Sequence, residues 1–305
     1  MNQKKLINLT LILVIGLVLV VVQNLWSKYQ QKQPNDYLKA IKEIDASLVS
    51  EVTLSKGNQQ LQFTKTNNGW KVASKSADKT KVSELINGLL PSESPVLIAQ
   101  SPEKLKDLNV TEDTATKVSL KINDKTSEFL VGKRIGSLTS VALRNQSLAY
   151  NLRNIPTLSL EPNSWYDLTI VDIESEAIKS FSVQSGISIY TLTQIQDREW
   201  RFEGKENEVN HEAVNTYVMR LNPFKAKELA FEDKQRQYSQ ISPSFTLLLT
   251  DKNDQKTVLE FFKGKNDYLV KRSGDEEYFI VSTFDAESIN EKAEKFTLSS
   301  PQPEE

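Results

Sequence analysis

Hydrophobic and polar residues follow three rhythms along this chain. From Leu6 to Trp26 the run LINLTLILVIGLVLVVVQNLW carries no charge. As a helix at about 1.5 Å per residue it extends about 31 Å, the thickness of a bilayer's hydrocarbon layer. It is apolar on nearly every face, unlike the buried amphipathic helix of a globular protein. Trp26 stands where an interfacial anchor belongs. The apolar core is long, and Gln23-Asn24-Leu25-Trp26 is a poor cleavage site, so the run predicts an uncleaved anchor rather than a removed signal peptide. Lys4, Lys5 and the amino terminus favour a cytoplasmic start, although Lys28 and Lys32 reduce the asymmetry. Residues 27–305 are therefore expected outside the cytoplasm.

The second rhythm is alternation with a period of two. Val52, Leu54, Leu61, Phe63, Trp70 and Val72 alternate with polar residues. Gly57-Asn58 and Asn67-Asn68-Gly69 punctuate them, as in an antiparallel meander with one buried face. The third rhythm is helical: Val82, Leu85, Ile86 and Leu89 recur at i, i+3, i+4 and i+7, behind a cap at Asp78 or Thr80. A helical turn is expected near Leu105. Further strands follow through Val118–Ile122 and Phe129–Val131, joined at Asn123-Asp124-Lys125. A last hairpin runs through Val141–Arg144 and Leu148–Leu152.

The pattern then repeats. Val52, Leu54, Gly57, Leu61 and Phe63 correspond to Phe181, Val183, Gly186, Tyr190 and Leu192. Trp70 and Val72 correspond to Trp200 and Phe202, and the helical stripe to Val214, Tyr217, Val218 and Leu221. Phe129 and Gly132 correspond to Phe261 and Gly264, and Arg144 and Tyr150 to Arg272 and Tyr278. The spacing drifts by a few residues, as loop insertions would cause. The predicted class is α+β: an N-terminal transmembrane helix followed by two tandem repeats of an antiparallel β-meander packed on a helix. Residues 1–5 would be a cytoplasmic N-terminus, 6–26 the transmembrane anchor, and 27–45 a linker with a short helix. The first module would span 46–168, the second 169–296, and 297–305 would be a disordered tail.

Composition adds mainly exclusions. The 38 basic and 40 acidic residues leave a net charge of -2, without the basic field of a nucleic-acid binder. There is no cysteine, hence no disulfide framework, thiolate metal site or thiol nucleophile.

GWKV at Gly69–Val72, ADKTKVSELINGL at Ala77–Leu89 and FLVGKR at Phe129–Arg134 resemble a bacterial family, the domain of unknown function 4340. Leu108-Asn109-Val110 stands where that family often has a Gly between two apolar residues, and Asn accepts the same left-handed backbone. Tyr238–Pro243 resembles a second copy of that segment without the Gly. These motifs are structural and carry no active-site residues. The resemblance implies a single-pass protein of the bacterial inner membrane, its bulk extracytoplasmic. Members are often encoded beside gliding-motility-type ABC transporter components, which implies an accessory role near a transporter or envelope assembly.

The residues themselves offer little chemistry. His211 is the only histidine. Beside Glu212 it could be a general base, but a solvated first-turn residue after an Asn210 cap is the preferred reading. GKRIGS at Gly132–Ser137 lacks phosphate-loop spacing and reads as a strand-end turn. Acidic neighbours such as Glu174 with Glu176, or Asp275–Glu277, arise freely on a solvated surface. Trp70 and Trp200 suit the core better than a sugar platform. Arg144 and Arg272, at matching strand positions, are the candidates for an interaction surface, against a strand-surface ion pair as the preferred role. No catalytic, cofactor or metal residue is assigned. The leading expectation is a non-enzymatic, membrane-tethered binding or assembly protein that presents edge strands to a protein partner, an ABC transporter among the possibilities. The alternative is an envelope glycan-binding protein or hydrolase with a site in the cleft between the modules.

Overall fold

The computed structural model describes residues 36–298 apart from 145, 205–207 and 239–240. The expected anchor at Leu6–Trp26 lies outside these residues. Among those described, no helix is long and apolar enough to cross a membrane. The chain divides into two compact units between Pro162 and Asn163.

The first unit opens with helix α1 (Asp36–Ile41), followed by strands β1 (Glu51–Lys56), β2 (Gln59–Thr66), β3 (Gly69–Val72) and β4 (Lys75–Ala77). Helix α2 (Lys79–Leu89), strand β5 (Val96–Ala99) and helix α3 (Pro102–Asp107) come next. Strands β6 (Thr116–Ile122), β7 (Lys125–Ile135), β8 (Leu138–Leu143) and β9 (Ala149–Arg153) complete it. All nine strands form one antiparallel sheet in the order β4-β3-β2-β1-β6-β7-β8-β9-β5.

The second unit holds β10 (Thr169–Val171), β11 (Ile178–Ser185), β12 (Ser188–Gln196), β13 (Glu199–Phe202), helix α4 (His211–Arg220), β14 (Phe224–Lys225) and β15 (Glu228–Leu229). Helix α5 (Glu232–Tyr238), β16 (Phe245–Asp251), β17 (Lys256–Lys263), β18 (Asp267–Arg272), β19 (Tyr278–Ser282) and helix α6 (Thr283–Ile289) follow. Its eight-stranded sheet runs β13-β12-β11-β16-β17-β18-β19-β15, while β10 and β14 pair separately.

These sheets correct the expected class. The fold is mainly β, with large antiparallel sheets, not α+β. Nor is each sheet a meander. After β4 the chain crosses through α2 to the far edge, lays down β5 there, and returns through α3 to place β6 beside β1. The second unit makes the same excursion through α4, β15 and α5. The alternation-based reading undercounted strands because β4, β5, β10, β14 and β15 are two to four residues long, too short to show a period.

Local chemistry explains the long elements. The Asp78 carboxylate accepts the backbone N–H groups of Thr80 and Lys81, closing the start of α2. Asn210 accepts from Ala213 at the start of α4. Val82, Leu85, Ile86 and Leu89 are buried, as are Val52, Leu54, Phe63, Trp70 and Val72 of the sheet. Each such side chain contributes about 1.5–3 kcal/mol through burial. The second unit packs aromatic rings in the same layer. Phe181 lies 4.8 Å from Tyr217, 5.7 Å from Trp200 and 5.9 Å from Phe296.

The opposite sheet face is covered at one end only. In the first unit α3 buries Leu105 with Leu130, Ala142, Ala149 and Ala99. In the second, α5 buries Tyr238 with Ala230, Leu269 and Ile280. Asn109, after α3, has φ +56°, the left-handed turn that Asn tolerates.

Both ends of the expected module boundaries are tied in. Tyr37 opens the short helix expected within 27–45, and in α1 it is buried; its hydroxyl donates to the Leu89 carbonyl at 2.8 Å and its ring lies 5.2 Å from Tyr150. In the expected tail, Thr297 bridges Val209 and Leu298 donates to the Glu208 carbonyl; residues 299–305 lie outside the described ones.

Candidate docking edge

β5 pairs on one side only, with β9: Val96 faces Asn151, Leu97 faces Tyr150 and Ala99 faces Ala149. Among the described residues no strand pairs with its other rim. Pro95 precedes it, and the strand begins at Val96. Val96 is 68% exposed and Leu97 40% exposed, one on each face of the sheet by the period of two. No charged residue stands within Val96–Ala99, although edge strands usually carry one against unwanted pairing.

A groove of about 1180 Å³ opens where β5 begins. Leu90, Pro91, Leu138, Leu152 and Ile155 supply apolar lining, and Glu84, Glu93, Arg134 and Arg153 supply charge. Arg134 Nε donates to Thr139 Oγ1 at 3.3 Å. Arg153 is exposed at the end of β9.

The matching edge strand of the second unit, β15, also pairs on one side only, with β19, but it is shorter and carries an ion pair. β15 has two residues, and the chain before it turns away to pair as β14 with β10. Lys234 of α5 reaches Glu228 of β15 at 3.1 Å and Asp267 of β18 at 3.4 Å. Tyr238 donates to Asp267 at 2.9 Å. Burial, reinforced by this hydrogen bond to a carboxylate, pushes the Tyr238 phenol up to about 12.

The two arginines singled out from sequence do not occupy equivalent positions. Leu54, Val118, Phe129 and Leu143 form one cross-strand row. Val183, Leu247, Leu259 and Arg272 form the corresponding row. Arg272 thus matches Leu143, and Arg144, one residue further on, belongs to the other face. Their partners differ accordingly. Arg144 Nε meets Glu112 at 2.8 Å and its Nη1 meets Glu128. The Arg144 hydrogen bond, aided by Lys117, holds the Glu128 carboxyl below the usual range, and raises the guanidinium in turn. Arg272 Nε meets Asp275 at 2.6 Å and its Nη1 donates to the Ile170 carbonyl of β10 at 2.9 Å.

The other singled-out residues serve the fold. Trp70 and Trp200 are 8% and 2% exposed, which removes them as stacking platforms. Trp200 Nε1 donates to Asn215 at 2.9 Å. His211 Nδ1 accepts the Trp200 backbone N–H at 3.1 Å, joining the start of α4 to β13. Gly132 is not in a turn. It lies within β7, at an irregularity between Val131 and Arg134, and a Cβ there would stand 2.1 Å from the Leu108 carbonyl oxygen. The turn comes later, at Gly136-Ser137. Glu174 accepts from Asn222 at 3.2 Å.

The model of the domain of unknown function DUF4340 matches residues 75–243, more than half of the chain. The chain belongs to this family. The matched stretch begins in β4 and ends beyond α5, so it spans both helix-borne excursions and coincides with neither unit. No curated protein and no solved structure matches the chain.

Sequence reasoning missed β5. Its signal is slight: VLIA between Pro95 and Gln100 is a four-residue apolar run that reads equally as loop, strand or helix start.

Proposed function

We propose that this family member is a non-enzymatic docking protein that binds a protein partner along the open rim of β5. A membrane tether through the uncharged run Leu6–Trp26 holds its bulk outside the cytoplasm. The partner belongs to an envelope assembly, an ABC transporter being the kind that the family resemblance suggests. The observation that carries this reading is the contrast in edges: β5 exposes Val96 and Leu97 on an uncharged edge strand that pairs only with β9 among the described residues, whereas β15 is two residues long and carries an ion pair to Lys234. Strand addition at such a rim supplies main-chain hydrogen bonds for affinity, with side-chain pockets for specificity. The alternative of a glycan site loses its two tryptophans to the core.

The test is co-purification of the full-length chain from its native membranes. The wild type is expected to retain a transporter subunit, and Val96→Lys combined with Leu97→Lys to lose it, since charge on an edge opposes pairing. Equal recovery by both chains would overturn the assignment.

A further inference from the structure

The two units differ beside the tryptophans of β3 and β13. In the first unit Lys65 of β2 is the cross-strand partner of Trp70. Its ammonium lies 6.0 Å from the indole centroid and donates to the Ser47 carbonyl at 2.8 Å. Ser47 belongs to the helical turn Ala46–Leu48 that leads into β1. The unit thus fills this place with a cation of its own.

In the second unit the same pairing sets Gln194 of β12 against Trp200, and the helical turn Ser175–Ala177 leads into β11. The cation is missing, and a groove of about 500 Å³ opens among Gln194, Trp200 and Glu176 of the turn. Asp197 and Glu212 complete its acidic lining, with Arg198 as the opposing charge. Glu176, Asp197 and Glu212 form no ion pair with a described residue. The floor is fixed in place. Trp200 Nε1 donates to Asn215 of α4 at 2.9 Å, and the Asn215 amide donates to the Arg198 carbonyl at 3.0 Å. Met219, in the last turn of the same helix, also lines the groove and is 67% exposed. Acidic residues outnumber basic ones across the second unit, and the reverse holds across residues 36–162. A field of that sign draws in a basic partner.

Independently of the β5 edge, we infer that this groove takes a lysine or arginine side chain from a partner protein. The charged head enters among Glu176, Asp197 and Glu212. The aliphatic stem lies along Met219, as long basic side chains cover apolar surface while keeping the head hydrated. Trp200, 2% exposed, serves as floor and not as a stacking surface. The chemistry is charge complementarity, with the occupant indicated by the fold itself: the partner supplies to the second unit what Lys65 supplies to the first.

Met1 and Met219 are the only methionines, so isotope labelling of methionine methyls puts a single NMR reporter in the groove, identified by its loss in Met219→Leu. The probe is the acetylated, amidated pentapeptide Thr-Leu-Lys-Leu-Thr, titrated against the labelled full chain in detergent micelles. The Met219 signal is expected to shift saturably. Affinity should weaken about threefold to fivefold when the peptide's Lys is replaced by Gln, the upper range of an exposed ion pair. Asp197→Asn combined with Glu212→Gln should erase that preference. Gln194→Lys, which restores the cation of the first unit, should move the signal without peptide and weaken peptide binding by a similar factor. A signal that stays still up to about 10 mM peptide, or that responds alike to peptides carrying Lys, Gln or Glu, would overturn the inference. So would a Gln194→Lys chain that binds the peptide as the wild type does. Equal affinity for lysine amide alone would also overturn it, because a free amine would then be the occupant instead of a protein segment.

Discussion

The two units repeat one strand order yet treat the same edge in opposite ways. In the second unit, β15 is two residues long, the chain peels off to pair with β10, and Lys234, Glu228, Asp267 and Tyr238 close the place with ion pairs and a hydrogen bond. In the first, β5 is twice as long and uncharged, and among the described residues it pairs only with β9. Closing an edge by charge is the ordinary protection against strand pairing. Under the docking proposal the two copies divide the roles of this edge: the second unit uses it for its own ion pairs, and the first offers it to a partner.

The comparison breaks first at two glycines. Both stand where the segment after β5 or β15 presses on the sheet. At Gly132 the obstacle to a Cβ is backbone, the Leu108 carbonyl at 2.1 Å and that of Asn109 at 2.8 Å. At Gly264 the nearest obstacles are side-chain tips, the Tyr238 hydroxyl at 2.0 Å and Asp267 Oδ1 at 2.8 Å, with the Asp267 carbonyl further off at 3.0 Å. Gly132→Ala should therefore cost about 3 kcal/mol, with Gly264→Ala nearer 1–2 kcal/mol. Urea midpoints of the two variants measure the difference, and equal midpoints would show that the two approaches are alike.

The helix caps give a smaller contrast. Asp78 satisfies two backbone donors at α2 and Asn210 one at α4. Asp78→Ala should cost about 2 kcal/mol and Asn210→Ala about 1 kcal/mol, read from the same midpoints.

Tyr238→Phe tests the ion-paired edge itself. Losing the hydrogen bond to Asp267 should cost about 1 kcal/mol at neutral pH. The fold raises the phenol from 10.0 to about 12, so it binds this proton more tightly than the unfolded chain does. The corresponding stability is complete below the unfolded value and disappears as pH rises through the folded one. Alkaline unfolding curves of wild type and Tyr238→Phe should thus converge between those values; curves that stay parallel would remove Tyr238 from the account.

How much of this was readable beforehand depended on segment length. Residues such as Leu54, Phe63, Trp200 and Val218 sit in runs long enough for a period to emerge, and the buried faces follow from them. The Asp78 and Asn210 caps were readable because a cap acts within three residues. The β5 edge was not, because it gains its place from pairing with β9, about fifty residues away. Alignment of the two repeats by residue type also misled at Arg144 and Arg272. Matching side chains suggested equivalence, whereas the cross-strand rows put Leu143 opposite Phe129 and Arg272 opposite Leu259. A shift of one residue in a strand exchanges faces, and only pairing reveals it.

That exchange of faces leads to the subtlest test. Arg144 is held by carboxylates alone, and through its hydrogen bond it keeps the Glu128 carboxyl depressed. A depressed carboxyl contributes stability that is present above the unfolded value, about 4.3 for glutamate, and lost as pH falls through the lower folded value. Wild type and Arg144→Gln should therefore differ slightly in urea midpoint at neutral pH and converge on acidification. Arg272 also donates to the Ile170 carbonyl, an acceptor that does not titrate in this range. Part of the deficit of Arg272→Gln should persist in acid. If both deficits vanish together, the carbonyl contact adds nothing, and the two arginines are alike in energy despite lying on opposite faces.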